Sequence, residues 1–160
     1  MRTRVREVMF SVPFVIGKAR PQVTKHGNYT PAKTRRAEQA IRDAYEQAVV
    51  DKGGTVDDYR AGKFEKTETH DDIRIPVSVT IWTQRPLPKS KRKGILTEPD
   101  TCKPDADNIE KLVMDALNGV AWIDDSQVTD PNVHKKYRYR GAPERTTVRI
   151  LWGNDWSEER

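Results

Sequence analysis

Four aspartates flank one short amphipathic segment of the sequence. Asp105 and Asp107 stand one residue apart in "KPDADNIEK", and Asp124 and Asp125 follow in "VAWIDDSQV". Each has an ordinary structural explanation. Asp107 can be a helix N-cap that forms a capping box with Glu110, and Asp105 can favour the helix dipole from just outside. Asp124 and Asp125 can form a turn.

Taken together, the aspartates also suggest a metal site. Asp105 and Asp107 point to one side if their backbone is extended, and the second pair returns after only a helix and a short strand. Converging carboxylates cannot all ionise without a cation, and Mg²⁺ prefers oxygen ligands and accepts phosphate oxygens. Lys111, four residues after Asp107, is either an ordinary ion-pair partner or a cation for the phosphate. The spacing alone leaves both explanations open.

The periodicity of the apolar residues predicts the elements that position these groups. Two amphipathic helices are predicted over 34–50 and 108–118, the second followed by Gly119 as a C-cap. Strands are predicted over 5–14, 73–83, 133–139 and 146–152, the last two as a hairpin around "GAPE". Residues 17–31, 55–72 and 84–104 have the composition of loops. We therefore expect an α/β fold, a mixed β-sheet with helices packed on one face.

Length and composition restrict the class of protein. The 160 residues predict a single domain over 1–160, and the net charge of +5 favours a polyanionic partner such as nucleic acid. No apolar run is long enough to span a bilayer, and charged residues interrupt the N-terminal segment, so we expect neither a membrane protein nor a signal peptide. Cys102 is the single cysteine, which predicts a reducing, cytoplasmic location and no cysteine-based metal site.

Basic side chains predict where DNA would bind. Each group is either a phosphate-binding surface or simply solvated, and for the basic loop alone the second explanation is favoured. The candidates lie in the segment "GKARP", the loop run "KSKRK" and the segment "VHKKYRYR": Lys18, Arg20, Lys89, Lys91, Arg92, Lys93, Lys136 and Arg138.

The stretch "KPDADNIEKLVMDALNGVAWIDDSQV" resembles the signature of the RusA family of Holliday-junction resolvases, found in bacteria and their phages. The shared pattern is Asp-x-Asp-Asn, a lysine four residues after the second aspartate, Asp-Ala-Leu-Asn-Gly, and then Asp-Asp-x-Gln-Val. The segments "GKARPQV" and "GNYTPAKTRRAE" resemble the N-terminal part of the family. The likeness is weak in 55–72 and at the C-terminus, and Cys102 and Lys103 depart from the residues that some relatives carry there.

The resemblance implies a homodimeric, Mg²⁺-dependent endonuclease that nicks paired strands of four-way DNA junctions. It implies metal-binding catalytic carboxylates at Asp105, Asp107 and Asp125, a catalytic lysine at Lys111, and Asp124 beside the site as a further candidate ligand. Two alternatives stay open: a DNA-binding protein without catalysis, and a metal-dependent nuclease that acts on flaps, forks or RNA.

Overall fold

The computed structural model describes residues 5–20, 22–64 and 72–153. The helices are α1 (Ala32–Asp51), the single-turn α2 (Val56–Tyr59) and α3 (Ala106–Leu117). The strands are β1 (Val5–Val12), β2 (Gln22–Thr24), β3 (Gly27–Tyr29), β4 (Val77–Pro86), β5 (Thr97–Pro99), β6 (Val128–His134), β7 (Tyr137–Tyr139) and β8 (Arg145–Gly153).

A six-stranded mixed sheet has β4 at its centre. On one side β4 pairs antiparallel with β8, which pairs antiparallel with β1. On the other side β4 pairs in parallel with β6 and then with β7, and β5 lies antiparallel to β7. The predicted hairpin of 133–139 with 146–152 is therefore wrong, because β4 lies between these strands. The connection crosses the end of β4, where the Gln84 side chain donates to the Pro143 carbonyl at 3.0 Å.

One face of this sheet carries the core. Alternate side chains of β1, β4 and β8 are buried, and the helices α1 and α3 cover them. The predicted apolar stripe of α3 is confirmed, since Ile109 and Leu112 are each only 1% exposed. The predicted fold class, a mixed sheet with helices on one face, is confirmed.

Several local boundaries differ from the predictions. The segment 17–31 contains the hairpin β2–β3, and 84–104 contains β5, which pairs with β7 and so could not be found from local pattern. Residues 55–64 include α2, while 65–71 of the same predicted loop lie outside the described residues. The central strand begins at Val77 rather than at 73, because its ladder with β6 begins there.

Candidate active site

The start of α3 is fixed by the loop that precedes it. Asp100 is buried in this loop, and Arg85 of β4 binds it through two hydrogen bonds, Nε to Oδ2 at 3.0 Å and Nη2 to Oδ1 at 2.6 Å. The third guanidinium nitrogen of Arg85 donates to the Lys103 carbonyl at 2.7 Å. The loop is therefore attached to the central strand just before Asp105.

The segment "GKARP" holds α3 from the other side. Gly17 packs so closely that a Cβ there would lie 2.7 Å from the Pro104 Cβ and 3.0 Å from the Asn108 Cβ. The Lys18 backbone amide donates to the Asn108 carbonyl at 2.8 Å. The Lys18 ammonium bridges α1 and α3, at 2.5 Å from Glu38 and 3.0 Å from Asp115.

These contacts change the interpretation of Lys18. Burial lowers the pKa of Lys18, but the hydrogen bonds that its ammonium donates to Glu38 and Asp115 outweigh burial and leave the pKa above its ordinary value. Its charge is already neutralised by two carboxylates, so Lys18 links the two helices. The prediction of Lys18 as a DNA contact stays a prediction, and in this structure the ammonium is committed to Glu38 and Asp115.

Asp105 and Asp107 stand at the beginning of α3. The predicted N-cap at Asp107 is wrong, because the helix begins at Ala106 and Asp105 occupies the cap position, without a side-chain cap hydrogen bond. Asp107 lies in the first turn, where a negative charge favours the helix dipole. Both carboxylates are exposed, and each is paired with a lysine: Asp105 with Lys103 at 2.9 Å and Asp107 with Lys111 at 3.7 Å.

The second aspartate pair follows α3 in a short 3-10 turn, Asp125–Gln127. Asp124 caps this turn, since its carboxylate accepts from the Ser126 amide at 3.1 Å and from the Ser126 hydroxyl at 2.5 Å. The buried Gln127 side chain accepts from the Asp124 amide and donates to carbonyls of residues 61 and 75. The capping box predicted for α3 is thus found here instead.

Asp125 has a different environment from Asp124. Its Oδ1 accepts a hydrogen bond from the Trp122 indole at 2.8 Å. Burial raises the pKa of Asp125, and the negative charges of Asp115 and Asp124 raise it further against that hydrogen bond. In contrast, the Ser126 hydroxyl and amide lower the pKa of Asp124. Asp125 is therefore the carboxylate of this pair that a cation would stabilise most.

The described residues do not contain a ready metal cluster. No three His, Cys, Asp or Glu side chains among them are placed to hold an ion. Asp115, the helix residue whose charge acts on Asp125, lies eight residues after Asp107, about 12 Å along the axis. Convergence of Asp105, Asp107 and Asp125 on one ion stays a prediction.

The chemistry of the donors nevertheless fits a hard divalent cation. All the candidate ligands are carboxylate oxygens, the type that Mg²⁺ prefers. The lysine partners of Asp105 and Asp107 are exposed, and exposed ion pairs are worth at most about 1 kcal/mol, so an ion can displace them.

The predicted DNA-binding residues divide into free and neutralised groups. Lys91 lies 3.2 Å from Glu98, and the partly buried Arg138 guanidinium also binds Glu98, so both charges are neutralised within the chain. Arg138 as a DNA contact stays a prediction. Lys136 is exposed at a left-handed turn (φ 27°) that divides the predicted strand 133–139 between β6 and β7. The remaining candidates are exposed: Arg20, Lys89, Arg92 and Lys93.

The positioning residues Arg85, Asp100, Glu38, Asp115 and Gln127 were not predicted from the sequence. The partners of the first four lie 15 or more residues away along the chain, so local spacing carries no signal for them. For Gln127 the Asp-x-x-Gln spacing of a capping box was a signal that sequence reasoning missed. Asn108 and Asp115, which contact Lys18, were recognised in the sequence only as members of the family pattern. Within the described residues, no helix combines the length and the apolar character needed to cross a membrane.

Comparison with known proteins gives two matches. A segment of 72 residues is 44% identical to "Uncharacterized protein YqaN" of Bacillus subtilis (strain 168), covering 39% of this chain and 49% of YqaN. The match thus spans about half the length of that relative. The family model of endodeoxyribonuclease RusA matches residues 13–151, which include every candidate site residue described above. The chain belongs to the RusA family of endodeoxyribonucleases.

Proposed function

We propose that this protein is a Mg²⁺-dependent nuclease that resolves four-way DNA junctions as a homodimer. The observation that carries the proposal is the Asp105-x-Asp107 pair at the start of α3, with Lys111 one turn later, in a chain that belongs to a nuclease family. Asp105, Asp107 and Asp125 would hold the ion. Asp124 is a weaker candidate ligand, because its carboxylate already caps a turn.

The ion, when bound, supplies a Lewis acid for the scissile phosphate and a water of lowered pKa. The other steps belong to the protein. Lys111, whose ammonium lies 3.7 Å from the Asp107 carboxylate, would neutralise charge that develops on the phosphate. The amide groups at the start of α3 present a partial positive charge to the same phosphate. The Arg85–Asp100 pair keeps this helix start in place.

The homodimer is proposed from the symmetry of the substrate. A four-way junction has two scissile strands related by an approximate two-fold axis, and a C₂ dimer presents two equivalent sites with that relation. Light scattering across micromolar concentrations tests this point. A monomer that retains paired nicking would contradict it.

The activity is tested by cleavage of a mobile four-way junction, beside linear duplex and flap DNA, with and without Mg²⁺. For Asp107→Asn we expect at least about a 100-fold loss of cleavage, more than second-shell changes at metal sites usually cause. Junction binding should persist or tighten, since a negative charge near the phosphate is removed. Loss of helix stabilisation should be small, about 0.3–1 kcal/mol.

Asp43→Asn is the matched control, because Asp43 is an exposed aspartate on α1 far along the chain from the candidate site. It should cleave like the unmodified protein. Full activity in Asp107→Asn would refute the assignment of the site, and preferential cleavage of flaps or RNA would refute the assignment of the substrate.

A further inference from the structure

Internal ion pairs neutralise much of the cationic surface that the sequence suggested. Lys18 is held by two carboxylates, and Glu98 alone binds both Lys91 and Arg138. A cation that is already paired contributes little to attraction of a polyanion. The free cations therefore decide where DNA can bind.

A cationic surface outside the predicted DNA-binding groups lies where the hairpin β2–β3 leads into α1. Lys33, Arg35 and Arg36 are exposed on the first turns of α1, and Lys25 is exposed at the tip of the hairpin. Among the described residues, none of these four side chains has an ion-pair partner. We call Lys25, Lys33, Arg35 and Arg36 the α1 basic patch.

Contacts through Lys18 join the first half of α1 to α3. Glu38 of α1 and Asp115 of α3 bind the same Lys18 ammonium, and the Lys18 backbone binds Asn108 in the first turn of α3. Arg35 lies three residues from Glu38, about 4.5 Å along α1. The cations of α1 thus stand on a helix that Lys18 joins to α3, and Arg35 is the one nearest to this junction in sequence.

The charge of the patch is not balanced locally. The first turn of α1 contains no acidic residue, and its N-cap, Pro31, makes no side-chain cap hydrogen bond. Cations at this end of a helix oppose the helix dipole, which makes the arrangement unfavourable for the isolated chain. Phosphate groups on the patch would remove that penalty.

We propose that the α1 basic patch binds the phosphate backbone of a duplex arm that adjoins the cleaved strand. This inference rests on the proposed function, because it takes α3 as the place of cleavage. Its contacts are to backbone phosphates, so the patch contributes to affinity and orientation without reading base sequence. Duplex DNA is the chosen partner because unpaired cations on adjacent turns match its closely spaced phosphates.

The test compares binding of the unmodified protein and of Lys33→Gln/Arg35→Gln/Arg36→Gln to a four-way junction and to linear duplex, in EDTA and over a series of salt concentrations. If all three cations contact phosphates, the slope of log K against log salt should become shallower by about 2–3. At about 0.1 M salt the Kd should rise at least about tenfold. Circular dichroism should show an intact fold, since glutamine is a good helix former.

Two single variants on the same helix provide the matched comparison. Arg36→Gln should weaken binding several-fold, whereas Lys52→Gln, which removes an exposed cation at the opposite end of α1, should leave the Kd unchanged. Equal effects of the two variants would overturn the inference, because they would reflect net charge alone.

The outcomes separate the two proposals. If the unmodified protein cleaves junctions and the triple variant keeps the same Kd and the same salt slope, the patch inference is wrong and the proposed function stands. If the unmodified protein neither binds nor cleaves branched DNA, both are wrong. Reduced binding by the triple variant on both DNAs, with a shallower salt slope, supports the patch even where cleavage proves specific for another branched substrate.

Discussion

Removal of Arg85 tests how the start of α3 is held. In Arg85→Met the buried Asp100 carboxylate loses both guanidinium hydrogen bonds, and the Lys103 carbonyl loses its donor. The side chain of Asp100 is 1% exposed and that of Arg85 is 16% exposed, so water cannot replace the lost partner easily. Breaking a buried ion pair by removing one partner costs about 3–5 kcal/mol, and we expect a loss in that range.

The loss of stability in Arg85→Met should depend on pH in a defined direction. Burial alone would raise the pKa of Asp100, but the hydrogen bonds and charge of Arg85 outweigh burial and lower it. A carboxyl with a lowered pKa stabilises the fold above its unfolded pKa, and this stabilisation disappears as the pH falls through the folded pKa. Without Arg85 the protonated form of Asp100 is favoured, so the difference between the two proteins should shrink in acid.

Urea unfolding at neutral and acidic pH measures both effects. Arg149→Met is the matched control, because it removes an Arg–Glu pair whose side chains are 41% and 43% exposed and should cost at most about 1 kcal/mol. Arg85→Met/Asp100→Leu should recover part of the loss, since it leaves no unpaired buried charge. A loss below about 1 kcal/mol in Arg85→Met, or no change of that loss with pH, would refute the account of the loop.

Two further variants test the candidate site and its support. Asp125→Asn should raise stability at neutral pH by up to about 1 kcal/mol, because the pKa of Asp125 is raised by burial and by its acidic neighbours and the ionised form is therefore unfavourable in the folded state. A carboxyl with a raised pKa binds its proton more tightly in the folded state, so its favourable contribution falls as the pH rises from the unfolded to the folded pKa. The stability difference between the variant and the unmodified protein, measured by thermal unfolding, should therefore grow in favour of the variant as the pH rises across that window, and a difference that does not change with pH would contradict the assignment. Gly17→Ala should lower stability by about 1–3 kcal/mol and reduce cleavage. The added Cβ would lie 2.7 Å from the Pro104 Cβ and must displace the start of α3. An unchanged midpoint of urea unfolding together with unchanged cleavage would contradict this prediction.

Local pattern was sufficient for the parts of the fold that are stabilised locally. The spacing of Ile109, Leu112 and Leu117 predicted α3 and its buried stripe, because a 3.6-residue period has no other efficient way to bury its apolar side chains. The same holds for the alternation of β4 and β8. The aspartate spacing alone left capping and metal binding both open, and the candidate site was proposed from the resemblance to the RusA pattern.

Tertiary structure determined which strands pair in the sheet and where the helix α3 begins. The strands β7 and β8 follow each other in sequence but are separated by β4, the longest strand, which pairs with both. The N-cap of α3 is Asp105 rather than the predicted Asp107, because the loop held by Arg85 fixes where the helix begins.

Tertiary structure also determined which basic side chains are free to bind DNA. Glu98 lies 40 residues from Arg138 and neutralises it, whereas Lys33, Arg35 and Arg36 have no ion-pair partner within the part of the chain that the structure describes. The sequence determines which side chains carry a charge, but whether a charge is neutralised depends on distances of a few ångströms that only the folded chain sets.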